Sequence, residues 1–148
     1  MLGKKIGKKI IQKLWHKKSK VKKVIKRDGT VKDFNPEKVY TAVLKAFSAT
    51  REGKESDAWL VADEVLDILN KHFNGGSGRI PHVEEIQNFV EIALMSLGYK
   101  RTAKAYILYR EQHRSIRETK KVLEGAIDLV DQYLESIDWR VNENANMA

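Results

Sequence analysis

A chain of 148 residues suggests one domain, or one domain with part of a second. Its formal net charge of +8 is unevenly placed: residues 1 to 27 hold 12 basic and no acidic side chains, so the remainder, with 16 basic and 20 acidic, is net negative by four. The absence of cysteine excludes disulfides, thiolate zinc sites, cysteine nucleophiles and thiyl-radical chemistry within this chain, and fits a reducing, cytoplasmic setting. No apolar run approaches the ~18 residues that span a bilayer, and two prolines with 42% hydrophobic residues argue for a globular body.

Residues 1 to 20 place Leu2, Ile6, Ile10 and Leu14 at four-residue spacing, with Lys4, Lys5, Lys8, Lys9, Lys13 and Lys17 on the other faces, which predicts a basic amphipathic helix. It reads as a membrane-surface helix, a nucleic-acid contact, an organelle-targeting peptide, or a solvated extension docking its apolar stripe on a neighbouring domain. Gly3 and Gly7, each costing ~1 kcal/mol relative to Ala, favour the last. The lack of an uncharged apolar core rules out a secretory signal.

From Val21 to Phe34, two short alternating runs flank Asp28-Gly29, a strong hairpin signal because Gly accepts the positive φ that such turns need. Asn35 then caps a helix over 36–48, with Pro36 at its first position and Glu37 in its first turn. A second helix is predicted from Ser56, as cap, to Phe73, and the run NGGSG at 74–78 breaks it. Arg79 to His82 offers a short third strand, followed by helices over 84–97 and from 101 to about 118. This order predicts an α+β, mainly α fold: a four-helix bundle capped by a two- to three-stranded sheet, plus a C-terminal linker helix over 120–134.

No catalytic constellation emerges. The glycines of NGGSG lack the Gly-Lys-Ser/Thr of a phosphate loop, and His16, His72, His82 and His113 are scattered without carboxylates at metal spacing. Glu84 and Glu85 complement a helix dipole. Lys26-Arg27 at the hairpin turn, with Lys38 on the next helix, would make a compact anion site, though spacing alone favours an ordinary solvated turn for the pair.

The strings VIKRDGTVKDFNPEKV, EEIQNFVEIAL and AKAYILYREQHRSIRE, in that order, resemble the ATP-cone, the allosteric nucleotide-binding module of many ribonucleotide reductases and of a repressor of their genes. The resemblance covers Val21 to Arg117 and implies a site for ATP or dATP, with Mg2+. Position by position, Lys26, Arg27 and Lys38 would meet the phosphates and Gly29 would hold the turn. Val24, Phe34, Val83, Ile86 and Gln87 would lie near the base, and Tyr106 and Arg110 near the phosphates, although Tyr106 and Tyr109 equally suit plain packing.

The segment YLESIDWRVNENANM at 133–147 resembles the join between cone and catalytic core in class III, anaerobic ribonucleoside-triphosphate reductases, with an Asn-rich flap at Asn142, Asn144 and Asn146. The expected organisation is a basic extension (1–20), a cone (21–118), and a linker helix with the start of a reductase core (119–148). This implies a regulatory domain without catalysis of its own, acting on a reductase core in cis or trans, within a homo-oligomer. A free-standing nucleotide sensor or cone-containing transcription regulator is an alternative, although the repressor's zinc ribbon needs four cysteines. A second is a module binding nucleic acid or anionic membrane through residues 1 to 20.

Overall fold

The computed structural model describes residues 2–73 and 78–147, excluding the side chains of residues 2–6, 8, 11 and 138–147. Its elements are α1 (Leu2–Lys18), β1 (Lys23–Ile25), β2 (Val31–Asp33), α2 (Pro36–Thr50), α3 (Glu55–His72), α4 (Val83–Ser96) and α5 (Lys100–Met147). The chain divides into two compact units, Met1–Ile107 and Leu108–Ala148.

In the first unit, β1 and β2 form an antiparallel hairpin with Lys23 opposite Asp33, Val24 opposite Lys32 and Ile25 opposite Val31. Gly29 adopts φ +85°, and the open space around its Cα assigns its need to backbone conformation rather than to crowding. Asp28 Oδ1 clamps the turn by accepting from the Thr30 amide (3.0 Å) and hydroxyl (2.6 Å). The expected third strand is reduced to one parallel bridge, Ile25 to His82, with the Ile25 amide donating to Pro81 O at 2.9 Å. Pro81 has no N–H, so a longer ladder cannot form there.

Asn35 caps α2, its Oδ1 accepting from the Glu37 amide at 3.0 Å. α2 closes at Arg51, which is left-handed at φ 56°. The cap of α3 is Lys54 rather than Ser56: the Asp57 carboxylate reaches back to accept from the Lys54 amide at 2.7 Å, so the helix starts at Glu55. Asn74 to Ser77 of the glycine-rich break lie outside the described residues.

The core of this unit is the apolar faces of α2, α3 and α4 with Ala103 and Tyr106 of α5; Val43, Val61, Val65, Leu69, Ala93 and Leu94 are fully buried. Phe47 packs edge-on to Tyr99, 4.9 Å between centroids. Buried Thr102 donates from its amide (2.8 Å) and hydroxyl (2.6 Å) to Glu52 Oε2, tying the start of α5 to the loop after α2. Tyr99 donates to Asp57 at 2.6 Å; that bond, with burial, pushes its hydroxyl up to about 12 and lowers the Asp57 carboxyl.

α1 is docked, but not by the described members of the predicted stripe. Ile10 and Leu14 are more than half exposed, while Trp15 is buried, and the side chains of Leu2 and Ile6 are outside the described set. Trp15 packs on Trp59 (centroids 4.3 Å apart), which stacks on Tyr40 at 3.9 Å. Polar contacts then set the register: Gln12 donates to Glu37 at 2.6 Å, and Lys18 pairs with Asp63 (2.7 Å) and Asp67 (2.9 Å). A tilted aromatic cluster adds ~0.5–1.5 kcal/mol per pair beyond the burial of its area, which an aliphatic stripe at the same surface lacks.

The helices expected over 101–118 and 120–134 are a single helix, α5, which also includes the backbone of Asn142, Asn144 and Asn146. The residues between 118 and 120 contain neither Pro nor Gly, so nothing interrupts the helical ladder.

Candidate functional site

The hairpin, the first turns of α2, the start of α4 and Tyr106 enclose a cavity of about 520 Å³, within the ~300–1,000 Å³ typical of small-ligand sites. Its apolar wall comprises Val24, Phe34, Val39, Ile86 and Val90, all buried. Its polar rim carries Lys26, Arg27 and Lys38 with Asp28, Asp33, Asn35 and Gln87. A flat aromatic ligand fits the apolar wall, and an anionic group fits the rim.

The local fold explains this convergence. Hairpin register turns Val24 inward and leaves the next two cations at the turn. Asn35, Lys38, Val39 and Ala42 recur at helical spacing along one face of α2 and α2's cap, and all four line the cavity. Val83, Ile86, Gln87 and Val90 repeat that pattern on α4.

The rim is electrostatically ordered. Asp33 is ion-paired with Lys23, whose hydrogen bond and charge hold its carboxyl below the usual range. The hydrogen bonds from Thr30 do the same for Asp28. Arg27 Nε donates to Glu84 Oε1 at 2.7 Å, and Arg27 Nη2 to Gln87 Oε1 at 3.2 Å. Among the described residues, Lys26 and Lys38 make no salt bridge.

The sequence-predicted residues Val24, Lys26, Arg27, Phe34, Lys38, Val83, Ile86, Gln87 and Tyr106 thus stand around one cavity. Gly29 shapes the turn but does not line the cavity, and Arg110 belongs to the second unit. Tyr106 is buried, whereas Tyr109 is 56% exposed and packs on the His113 ring, which removes it from the core. Sequence reasoning missed Asn35, Val39, Ala42 and Val90, although their helical spacing from Lys38 and Ile86 was available. It also missed Glu84, which reaches across 57 positions to Arg27 with no local signal. Among the described residues, no cluster of three His, Cys, Asp or Glu could hold a metal ion, and no helix is long and apolar enough to cross a membrane.

Comparison with known proteins places this geometry in context. The chain is 40% identical over 114 residues to the vitamin B12-dependent ribonucleoside-diphosphate reductase of Thermoplasma acidophilum, covering 74% of this chain and 14% of that protein. It is 40% identical over 106 residues to the ribonucleoside-diphosphate reductase subunit alpha of Chlamydia muridarum, covering 66% and 10%. With the anaerobic ribonucleoside-triphosphate reductase of Escherichia coli, identity is 36% over 124 residues, covering 83% and 16%. The chain therefore spans between a tenth and a sixth of the length of these relatives. The sequence profile of the ATP cone domain matches residues 22–115, the stretch that supplies every residue lining the cavity, and the chain belongs to the ATP cone domain family.

Proposed function

We propose that the cavity binds ATP or dATP as an allosteric effector, with Mg2+ arriving on the triphosphate. Lys26, Arg27 and Lys38 face the phosphates; Val24, Phe34 and Ile86 hold the base. The observation that carries this is three cations on the rim of a largely apolar cavity of about 520 Å³. The effector would act by linkage: differential affinity of ~1–3 kcal/mol between two states of a reductase core, in cis or trans, is enough for regulation. The parent activity we favour is that of an anaerobic ribonucleoside-triphosphate reductase, serving deoxyribonucleotide biosynthesis for DNA replication. Alignments with such enzymes cover 83% of this chain, against 66–74% for other reductases, although identity to the B12-dependent enzyme is higher over its shorter stretch.

Calorimetric titration with ATP and dATP tests the site. Binding by the wild type, and its loss in Lys26→Ala/Arg27→Ala, is expected; equal affinity in both proteins would reject these cations as ligands.

A second reading is favoured by Ile10 and Leu14, both exposed beside exposed Lys9, Lys13 and Lys17: the outer face of α1 suits an anionic membrane surface. Co-sedimentation with phosphatidylserine vesicles, reduced in Ile10→Glu/Leu14→Glu, would support it. Sedimentation unchanged by the substitutions would reject it.

A further inference from the structure

The second unit presents a face that the nucleotide site does not use. From Ile116, a strict 3.5-residue repeat runs through Lys120, Leu123, Ile127, Val130 and Leu134, and its apolar members are all at least half exposed. Alternating steps of four and three residues are the seam spacing of a two-stranded coiled coil, and exposed Val122, Leu129 and Tyr133 broaden the apolar face along one flank of it.

Charge selects the partner and its direction. Residues 114–121 carry four basic side chains and one acidic; residues 124–135 carry four acidic and no basic. A parallel partner of the same sequence would set like charge on like. An antiparallel second copy sets each basic segment on the acidic segment of the other.

The register follows from packing first-type seam positions on second-type ones. With the two-fold axis at Gly125, Leu123 faces the second copy's Ile127, Ile116 faces its Leu134, and Lys120 faces its Val130. At the flanking positions Arg117 falls opposite the second copy's Asp131, while Glu124 and Ala126 each fall opposite their own counterparts, Glu124 as a central like-charge pair that the Arg117–Asp131 pairs offset. Lys120, the one charged seam residue, lays its stem along Val130 and brings its ammonium towards Asp131.

We infer that α5 mediates self-association of this chain as an antiparallel two-stranded coiled coil centred on Gly125.

Analytical ultracentrifugation of the full chain over a concentration series is the first test, with a monomer–dimer equilibrium expected. Arg117→Glu and Asp131→Arg should each weaken the dimer roughly 4- to 30-fold, because each turns two symmetric attractions into repulsions. The double variant should restore it. Ile127→Lys should abolish the dimer with helical circular dichroism unchanged. Since the chain has no cysteine, single-cysteine variants report direction cleanly. Ala126→Cys should cross-link to itself under mild oxidation and Ile116→Cys should not. The reverse cross-linking pattern, a charge swap without rescue, or a dimer that survives Ile127→Lys would overturn the proposal. So would a monomer at every concentration, which would assign the seam to a different protein segment.

Discussion

If Arg27 is a phosphate ligand, a nucleotide must draw it away from Glu84. The two side chains are 39% and 49% exposed and meet at 2.7 Å, so their pairing belongs with solvent-screened ion pairs worth ~0.2–1 kcal/mol. Glu84→Gln removes that competitor and a negative charge beside the rim, while retaining a side chain of the same shape. At ~1.4 kcal/mol per tenfold, ATP affinity should tighten by about 1.5- to 5-fold. Arg27→Ala should act in the opposite direction and more strongly, because a hydrogen bond to a charged group contributes ~1.5–3 kcal/mol, a loss of about 10- to 150-fold. Isothermal titration at low and high salt reads both, and the gain from Glu84→Gln should shrink as salt screens the pair. Unfolding of Glu84→Gln should stay within ~0.5 kcal/mol of wild type, as for an ordinary surface substitution. Unchanged affinity in both variants would refute the phosphate role of Arg27. Weaker binding in Glu84→Gln alone would make Glu84 a positioning partner instead of a competitor.

Gly53→Ala should destabilise the fold by ~1–3 kcal/mol in urea unfolding, since its new methyl would sit 2.6 Å from the buried Phe47 ring. Trp15→Ala should cost ~3–5 kcal/mol, by the same measurement, if α1 is integral to the core; a cost below 1 kcal/mol, at ~25 °C, would make it an appendage. In alkaline titration, Tyr99 should ionise late, near 12, and its stabilising contribution, present below pH 10, should fade as pH rises through that value. Tyr99→Phe should remove that step and raise the Asp57 carboxyl towards its ordinary 3.8 in carbon-13 NMR titration. On the acid side, hydrogen bonds from Thr102 hold Glu52 below 4.5, so their contribution is complete above that pH and is lost as pH falls through the lowered value; Thr102→Val should flatten this slope.

What the sequence made legible was local. Asp28-Gly29, Asn35-Pro36 and the 3.6-residue patterns of α2 to α4 each contain their own signal within a few positions, and the fold class followed from their order. Three features were not local. Trp15 docks because Tyr40 and Trp59 present a ring face 25 and 44 positions away, and no pattern inside residues 1 to 20 announces that. The third strand failed on one missing amide, at Pro81. The continuity of α5 depends on the absence of a breaker, a weaker signal than the presence of one. For the candidate site, the cations and most wall residues were readable once the hairpin and the two helices were placed, whereas Glu84 emerged only from the tertiary approach of α4 to the turn.

The cavity draws its wall from Val24 at one end of the first unit and Tyr106 at the other, so no partial fold contains it. Assembly must close a loop of some eighty residues before the pocket exists, so the pocket is present only when both ends of the unit are in place. Any ligand of this cavity is therefore also a ligand of the folded state alone. At a hundred times its dissociation constant it would hold the unit together by a further ~2.7 kcal/mol, enough to lengthen the lifetime of the chain against proteases whenever that ligand is plentiful.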